Sequence, residues 1–560
     1  MIWACKVGWD RSSTLSPLPS RSKRFEDRLV GMASSEFELK SGQHVSIQGA
    51  AHDDEFTGPD STYADQQDMR RLGKKQELRR NFRFTSILGF VAVAMGTWEV
   101  TLSATAAGLT NGGTGGMIWM FVGSFVCFGT IVLSLAEMSS MAPTAGGQYH
   151  WASEFSPRRY QKFISYIAGW MSTLSWQCGT CSGMFLLGTQ IQGLIAITHE
   201  DYSPQHWQGY LFVILMVSLG LLLNTWGAKQ LPLVEGIILV LHIFGFATVL
   251  IVLWILSPKN SAYEVFTTFE NSGGWSSIGL SMLVGQVTSI YGLIGSDGAA
   301  HMAEETKDAS IIVPRCMIWS YLLNVSMGFA MLVTYCFCLT DVEAALDSDS
   351  GFPYIYVFQS GTGSTGGAVG LTTVIIVLGL AGATSFFAST SRQTFAFARD
   401  KGLPGYNWIG AVNPKLMIPL NAILVTYGFT ILLSLINLGS TIAFNAIISL
   451  QLLALMSTYA ISIGAIALKR LRGEPLPHSR WSLGRFGLPI NCFAFLYSCF
   501  AMIWVCFPVS TPVAPDSMNY AIVMFTGVFI IALIYYFVQG RHVYQGPVVY
   551  VQRRQSEGTF

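Results

Sequence analysis

The stretch YGLIGSDG, residues 291–298, is the strongest indication of the fold, because it places three glycines inside a mostly apolar run. Each glycine in a helix interior costs ~1 kcal/mol relative to alanine. The surrounding run, residues 277–303, is long enough to cross a membrane as a helix. A second stretch, MGTWE at residues 95–99, interrupts the run 84–109 and also joins a glycine to a carboxylate. Both stretches predict membrane helices that are broken near their middle.

The composition of the whole chain predicts a polytopic membrane protein. Of its 560 residues 51% are hydrophobic and only 12% are charged, and the mean hydropathy is +0.45. Soluble globular proteins carry about 25% charged residues, so a soluble surface is excluded. The net charge of +1 offers no basic face to nucleic acid. Continuous apolar runs also exclude the alternating pattern of a membrane β-barrel.

The chain contains apolar runs that are near or above the ~20 residues needed to span a bilayer. They predict an all-α integral membrane fold with 12 transmembrane helices. The two interruptions fall in runs 1 and 6, and this spacing of five predicts a five-plus-five inverted repeat with broken helices 1 and 6. Two further helices follow the repeat. The predicted spans are residues 84–109, 117–141, 163–197, 209–226, 231–256, 277–303, 316–340, 368–397, 419–438, 441–468, 487–508 and 519–538.

Basic residues orient the predicted helices, because cytoplasmic loops carry the excess of Lys and Arg. With the N-terminus inside, the outer loops hold a single base, Lys259, and the inner segments hold clusters such as that in residues 70–83. No Lys or Arg is assigned to a span. Both termini are therefore predicted to be cytoplasmic.

The chain is predicted to have three segments. Residues 1–83 are polar and contain no apolar stretch of the kind found in a cleavable signal peptide, so they are interpreted as a disordered cytoplasmic tail. Within this tail, residues 1–31 are interpreted as an upstream extension before Met32. Residues 84–538 form the twelve-helix domain, and residues 539–560 form a cytoplasmic C-tail.

Ionisable residues within the spans indicate a function or a specific partner, because a charge at the bilayer centre costs ~2.5–3.5 kcal/mol on insertion scales. Glu99 and Asp297 lie at the two breaks, and Glu235 and His242 lie in span 5. The last two are seven residues apart, roughly 10.5 Å along one helix face. Because histidine titrates near physiological pH, His242 is predicted to couple to protons together with Glu235. The alternative is a neutral histidine and a carboxyl that bond neighbouring helices.

The excess of acids over bases in the spans predicts a ligand with an ammonium group, either a zwitterion or an organic cation. Trp98 could add a cation–π contact, and a ligand carboxylate would rely on half-helix N-termini. No metal-ligand cluster or nucleophile with a base is recognised, so neither an enzyme nor a cofactor or metal is expected. The predicted substrate-binding residues are Thr97, Trp98, Glu99, Ser296, Asp297, Thr384, Ser385 and Asn445.

Several motifs resemble a known family. AEMSSMAPTAGGQYHW at 136–151 is similar to the end of span 2 in amino acid-polyamine-organocation permeases. Other motifs resemble the fungal amino acid/choline transporter family, which includes GABA and choline permeases, and the resemblance covers about residues 80–548. These motifs are TWE at 97–99, GSDGAAHMAEETKDAS at 295–310, SRQTFAFARDKGLP at 391–404, RLRGEPLP at 470–477 and RWSLGRFGLPIN at 480–491.

The resemblance implies the five-plus-five fold, a fungal plasma membrane (or a vacuolar one), and proton-driven import of a small amino acid, GABA, choline or a related amine by alternating access. In GSD at 295–297 an acid follows the glycine break, as in the family pattern. EGIILVLH at 235–242 aligns with a span 5 pattern that often ends in lysine, whereas His242 stands here. The alternative is a transport-inactive nutrient sensor that signals through its N-tail.

Overall fold

The structure is a computed structural model that describes residues 60–438, 443–515, 517–544 and 546–548. All described residues belong to one compact unit of the chain. The predicted N-tail up to residue 59 and the end of the predicted C-tail lie outside the described residues.

The described part of the chain is helical, and it contains isolated β-bridges but no β-strand. Short 3₁₀ segments occur at Ala303–Glu305, Leu435–Leu438 and Gly484–Phe486, and a π-helical turn at Tyr536–Gly540. The α-helices are α1 Tyr63–Leu72, α2 Phe84–Met95, α3 Thr97–Ser103, α4 Ala106–Thr110, α5 Gly113–Met141, α6 Gln148–Phe155, α7 Gln161–Thr198, α8 His206–Thr225, α9 Leu231–Leu256, α10 Ala262–Thr267, α11 Ile278–Tyr291, α12 Gly298–His301, α13 Ala309–Cys338, α14 Val342–Leu346, α15 Pro353–Thr362, α16 Thr365–Arg399, α17 Tyr406–Ile409, α18 Leu420–Ser434, α19 Ala443–Leu471, α20 Gly487–Trp504, α21 Ala521–Tyr535 and α22 Arg541–Val543.

Within the described residues, 10 helical segments are long and apolar enough to cross a membrane, with α2 and α3 together forming the first. Two shorter apolar helices, α11 and α18, fall in the predicted spans 277–303 and 419–438. Every predicted span therefore contains an apolar helix. The all-α integral membrane fold is confirmed, while the count of twelve crossings and the inverted repeat remain predictions.

The predicted break in helix 1 is present at Gly96. Helix α2 ends at Met95 and α3 begins at Thr97, because Gly96 adopts a left-handed conformation with φ +46°. Asn324 of α13 bonds both sides of the break: its Oδ1 accepts from the Thr97 N–H at 3.1 Å, and its Nδ2 donates to the Ala92 carbonyl at 3.0 Å. A side chain from another helix thus satisfies the Thr97 N–H that the break releases, and it adds a second donor to the Ala92 carbonyl, which also accepts from the Gly96 N–H.

The predicted break in helix 6 is also present. Helix α11 ends at Tyr291, α12 begins at Gly298, and Gly295 between them has φ +105°, a conformation that favours glycine. A Cβ at Gly295 would lie 3.5 Å from the Cα of Met95. The two breaks therefore pack directly against each other.

Residues 60–83 differ from the predicted disordered tail, because they are ordered. Helix α1 starts with a capping box in which Thr62 Oγ1 accepts from the Asp65 N–H at 3.2 Å, and it buries Met69 and Leu72. Asp65 also accepts from the N–H groups of Asp308 and Ala309, at 2.9 and 3.1 Å, where α13 begins. Composition indicates disorder, but these charges are satisfied by the ends of other helices.

One basic residue contradicts the expectation that the spans contain no Lys or Arg. Arg392 lies inside α16, within the predicted span 368–397, and is buried. Its Nε donates to Glu305 at 2.7 Å. The charge is tolerated there because it is paired and lies within the last two turns of the helix.

Candidate functional site

A cavity with about 680 Å³ of space outside protein atoms lies beside the break at Gly96. Its wall is formed by α2, α3, α7, α11, α16 and one residue of α19, and it is mostly apolar. Among the described residues that line it, Glu99 alone carries a charge. The other polar side chains of the wall are Ser103, Ser182, Gln190, Tyr291 and Gln451.

Glu99 connects this cavity to α9. Its Oε1 lies 2.6 Å from Nδ1 of His242, whereas its buried Oε2 has no hydrogen-bond partner among the described residues. One carboxylate oxygen is thus held by a neighbouring helix. The second can accept a hydrogen bond from a solute in the cavity.

His242 and Glu99 can share one proton, which would lie between His242 Nδ1 and Glu99 Oε1. The indole Nε1 of Trp98 also lies 3.3 Å from His242 Nδ1, while the buried Nε2 has no partner in the described part of the structure. A protonated His242 donates from Nδ1 to the Glu99 carboxylate, and a neutral His242 can accept at Nδ1 from a protonated Glu99. The pair can therefore hold a proton on either partner.

Glu235 lies two turns before His242 on α9, at the position expected from the seven-residue spacing. Its Oε1 accepts from the Ser385 hydroxyl at 2.6 Å, and its Oε2 is buried without a partner among the described residues. Glu235 does not line the cavity. The second predicted coupling residue is thus attached to α16 rather than to Glu99.

Thr97 and Trp98 face other helices rather than the cavity. The Thr97 methyl group packs close to Gly328 of α13. The fully buried Trp98 ring contacts His242 and Phe246, with centroids 6.0 and 6.1 Å apart. The structure therefore places Trp98 behind Glu99, in contact with the histidine.

Ser296 and Asp297 are buried at the second break but lie outside the cavity wall. Asp297 Oδ2 accepts a hydrogen bond from Gln148 of α6. The left-handed backbone at Gly295 separates Tyr291, which lines the cavity, from Asp297, which faces α6. The two carboxylates of the breaks therefore have different surroundings in this conformation.

The remaining predicted binding residues also lie outside the wall of this cavity. Thr384 donates to the Leu380 carbonyl at 2.7 Å, within its own helix. Ser385 donates to Glu235, and Asn445 lines a second, outer cavity. Of the eight predicted binding residues, Glu99 is the one that lines the cavity at the first break.

The structure adds polar residues that the sequence analysis did not single out. The Tyr291 hydroxyl donates to Ser182 Oγ at 3.1 Å, and Ser182 donates to Gln451 Oε1 at 2.9 Å. Gln190 Nε2 donates to Ser103 Oγ at 2.7 Å. A detectable signal exists on α7, where the lining residues Gly179, Ser182, Gly183, Leu186 and Gln190 follow helical spacing along one face.

A second cavity, the outer cavity, adjoins the inner one. It lies among segments predicted to be outer loops, including those with Pro204 and Asp349. Ser103 and Tyr291 line both cavities. The two spaces therefore adjoin at these residues.

Residues 84–529 match the model of a family described as amino acid permease. The chain belongs to the amino acid permease family. The permease is 31% identical over 437 residues to a Macrophomina phaseolina protein named as an amino acid/polyamine transporter, with 78% of this chain and 96% of that protein covered. It is 28% identical over 470 residues to the choline transporter of Saccharomyces cerevisiae, with 83% and 82% covered. It is also 28% identical over 504 residues to the amino-acid permease BAT1 of Arabidopsis thaliana, with 86% and 95% covered.

This membership and the apolar helices identify the permease as an integral membrane transporter.

On the side opposite the outer cavity, an aromatic layer lies below the inner cavity. Phe386 of the cavity wall packs on Trp176 with centroids 4.4 Å apart, and Trp176 packs on His301 at 4.7 Å. His301 Nδ1 lies 2.8 Å from the Ala145 carbonyl in the segment before α6. This layer separates the cavity from the predicted cytoplasmic side.

Beyond the aromatic layer, four charged residues form what we call the charged cluster: Lys74, Glu304, Arg399 and Asp400. Arg399 makes two hydrogen bonds to Glu304, at 2.8 and 2.7 Å, and Lys74 pairs with Asp400. Asp400 also accepts from the Tyr149 hydroxyl at 2.9 Å. The charged cluster joins the ends of predicted spans 6 and 8 to residues that precede predicted span 1.

The two carboxylates of the charged cluster, Glu304 and Asp400, stay ionised at neutral pH. Burial by itself raises the pKa of Glu304, but Arg399 and Lys74 outweigh it and lower the pKa to about 2. For Asp400 burial likewise raises the pKa, and Lys74 and Arg399 bring it below its ordinary value. Burial lowers the pKa of nearby His150 to about 3, so this histidine stays neutral. Glu304 and Asp400 therefore carry fixed negative charges on this side of the permease.

Proposed function

We propose that this permease imports a small solute bearing an ammonium group, together with a proton, by alternating access. The observation that carries the proposal is the single carboxylate of the inner cavity. Glu99 offers one unpartnered oxygen to the solute, and no described residue of the wall is Lys or Arg. An ammonium group is the chemical group that such a wall attracts.

The substrate class that fits is a small amino acid, GABA, choline or a related amine. The apolar part of the wall, with Leu186, Ile375 and Leu378, suits a short aliphatic chain. Neutral donors and acceptors such as Ser182 and Gln190 suit a carboxylate or hydroxyl at the other end. Relatives named as amino acid/polyamine and choline transporters support the same class.

The pair Glu99–His242 is proposed to couple the solute to a proton, with Glu235 further along the same helix face. With Glu99 ionised and His242 protonated, a bound zwitterion leaves the site neutral. Without the proton, the same complex would hold a net negative charge in a low-dielectric site, which is unfavourable. The neutral complex with a zwitterion is therefore the protonated one. For an organic cation the neutral complex is the one without the proton.

The direction of transport is proposed from the two sides of the site. The inner cavity adjoins the outer one at Ser103 and Tyr291, whereas the charged cluster closes the opposite side. This arrangement suits an outward-facing state that loads its solute from outside. Import across the plasma membrane with both termini cytoplasmic is the consistent proposal, and a vacuolar membrane is the alternative.

A transport-inactive nutrient sensor is the second candidate, and one observation favours it. Residues 60–83 contact the ends of predicted spans 6 and 8 through Lys74, Gln76 and Arg80. A change of conformation at the cavity would therefore alter how the N-terminal segment is held. Such a change could be read by a cytoplasmic partner without any net transport.

Uptake of radiolabelled solutes separates the two candidates. Labelled GABA, choline, alanine and putrescine would be offered to transporter-deficient yeast cells that express the permease. Uptake of at least one amine that falls at least about tenfold in Glu99→Gln supports the transporter. If none is taken up while the protein is at the cell surface and solute still protects it from heat unfolding, the sensor is supported.

A further inference from the structure

Arg315 lies on the outward face of α13. This face exposes Arg315, Trp319 and Leu322, while most residues between them are buried. The helix begins at Ala309, so Arg315 is roughly 9 Å from its start. Because the permease is an integral membrane protein, this face contacts lipid near the boundary between headgroups and hydrocarbon. A guanidinium at that depth needs an anionic partner.

The surroundings of Arg315 form a groove rather than a flat surface. Its walls are Phe84, Ile318, Trp319 and Trp481, and Trp319 is 57% exposed. Tryptophan is enriched at membrane interfaces because its ring is apolar and its N–H is polar. The groove therefore has the composition of a headgroup-level site, with one cation among aromatic rings.

A second arginine lies beside the groove. The Cys316 thiol donates to the Phe84 carbonyl at 3.5 Å, which joins α13 to the start of α2. Arg83 directly precedes Phe84 and is exposed. Arg83 and Arg315 thus flank one contact between two helices, so a second positive charge lies beside the groove.

Four carboxylates on this side of the protein are already paired with other bases. No ion pair of Arg315 occurs among the described residues, so no described carboxylate neutralises it. The paired carboxylates are Asp60 with Arg79 and Lys307, Asp68 with Arg71, Glu137 with Arg470, and Asp308 with Arg480.

We propose that this groove binds the headgroup of an anionic glycerophospholipid from the adjoining leaflet. The planar guanidinium of Arg315 matches two oxygens of a phosphate diester. Trp319 and Trp481 flank the glycerol and the first methylenes of the acyl chains. Basic pockets between membrane helices bind such headgroups in other proteins. Arg83 supplies the second charge that favours an anionic headgroup over a zwitterionic one.

Native mass spectrometry of the full-length protein tests this proposal. The purified permease would be equilibrated with equal amounts of phosphatidylserine and phosphatidylcholine. The wild type is expected to retain phosphatidylserine at least about fivefold more than phosphatidylcholine. In Arg315→Gln this preference should fall to within about twofold, because only Arg83, beside the groove, still carries a positive charge there.

Arg159→Gln is the matched control, since Arg159 is also exposed and lies 5.4 Å from an aromatic ring, that of Tyr160, but outside the groove. It should keep the wild-type preference. A second variant, Trp319→Leu with Trp481→Leu, should reduce total lipid retention while Arg315 is intact. The proposal is overturned if Arg315→Gln keeps the wild-type preference, or if the wild type retains both lipids equally.

Discussion

Glu99 Oε1 lies 2.6 Å from His242 Nδ1, so the carboxylate at the first helix break and the single histidine of α9 form one pair. The two residues are 143 positions apart in the chain. The second oxygen of Glu99 stays available to the cavity. One side chain thus connects the solute position to a side chain that can bind a proton.

Replacement of His242 by asparagine should remove the pH response of uptake. The asparagine amide can still donate to Glu99 but cannot take up a proton. We expect the rise in uptake rate of a zwitterionic substrate on acidification, from about pH 8 to about pH 5, to flatten to within about twofold. Initial rates of labelled GABA uptake across this range measure it. His199→Asn, an exposed control, should keep the wild-type response, and an unchanged profile in His242→Asn would remove this residue from coupling.

The charge of the substrate should decide whether a proton accompanies it. A zwitterion such as GABA is expected to carry a proton, because the complex is then neutral. Choline should enter without one. Proteoliposomes with a pH-sensitive dye inside would acidify on GABA uptake and not on choline uptake. Equal acidification by both solutes, at equal uptake, would show that the charge balance at Glu99 and His242 does not govern coupling.

The sequence predicts the membrane fold and both helix breaks, because glycine within an apolar run has a large and local energetic effect. It does not predict the partner of each buried polar group. The pairing of Glu99 with His242 and the contact of Asp297 with Gln148 join residues that are far apart in the chain. Such pairs depend on how the helices pack, which no local pattern encodes.

Two further differences have similar causes. Residues 60–83 are ordered, although their composition indicates disorder, because Lys74 and Asp65 find partners at the ends of other helices. Arg392 lies within α16 because Glu305 neutralises it. By contrast, the polar stripe of α7 that lines the cavity, with Ser182 and Gln190, has helical spacing and could have been recognised from the sequence.

Two glycines of the cavity wall should respond differently to alanine. A Cβ at Gly183 would lie 3.4 Å from the Cβ of Ala383, which is ordinary contact, so Gly183→Ala should only narrow the cavity. We expect it to weaken binding of the bulkiest accepted solutes by about 1–3 kcal/mol and to spare the smallest. A Cβ at Gly382 would lie 2.5 Å from the Val93 carbonyl oxygen, so Gly382→Ala should impair uptake of every solute. Inhibition constants for a size series measure both, and identical profiles would contradict the proposed cavity.

Removal of Lys74 should weaken closure of the predicted cytoplasmic side. Lys74→Gln leaves Asp400 buried without its base, and breaking a buried pair costs ~3–5 kcal/mol. We expect the protein to shift away from the outward-facing state. A cysteine introduced as Thr288→Cys, which lines the outer cavity, should then react several-fold more slowly with an impermeant maleimide.

Two controls accompany this measurement. Lys415→Gln changes an exposed lysine and should leave labelling unchanged, whereas Lys74→Gln with Asp400→Asn should restore part of it. Because the pKa of Glu304 is lowered, its contribution is present above its ordinary pKa and is lost only as the pH falls toward about 2. Labelling of the wild type should therefore not change between about pH 6 and pH 8 through this residue. Equal labelling of Lys74→Gln and the wild type would contradict the proposed role.

Glu99 is proposed to hold the positive group of the solute, and a comparison of a charged inhibitor with a neutral one tests this role. Inhibition of uptake by choline would be compared with inhibition by its neutral isostere, in which carbon replaces the quaternary nitrogen, in the wild type and in Glu99→Gln. The quaternary nitrogen of choline has no N–H to donate, so Glu99 attracts it by charge alone. At an effective dielectric constant of about 20 this attraction is ~3–4 kcal/mol before desolvation, so the wild type should favour choline by at least about tenfold. In Glu99→Gln that preference should fall to within about threefold. A variant that keeps the full preference for the charged solute would show that the positive group is held elsewhere.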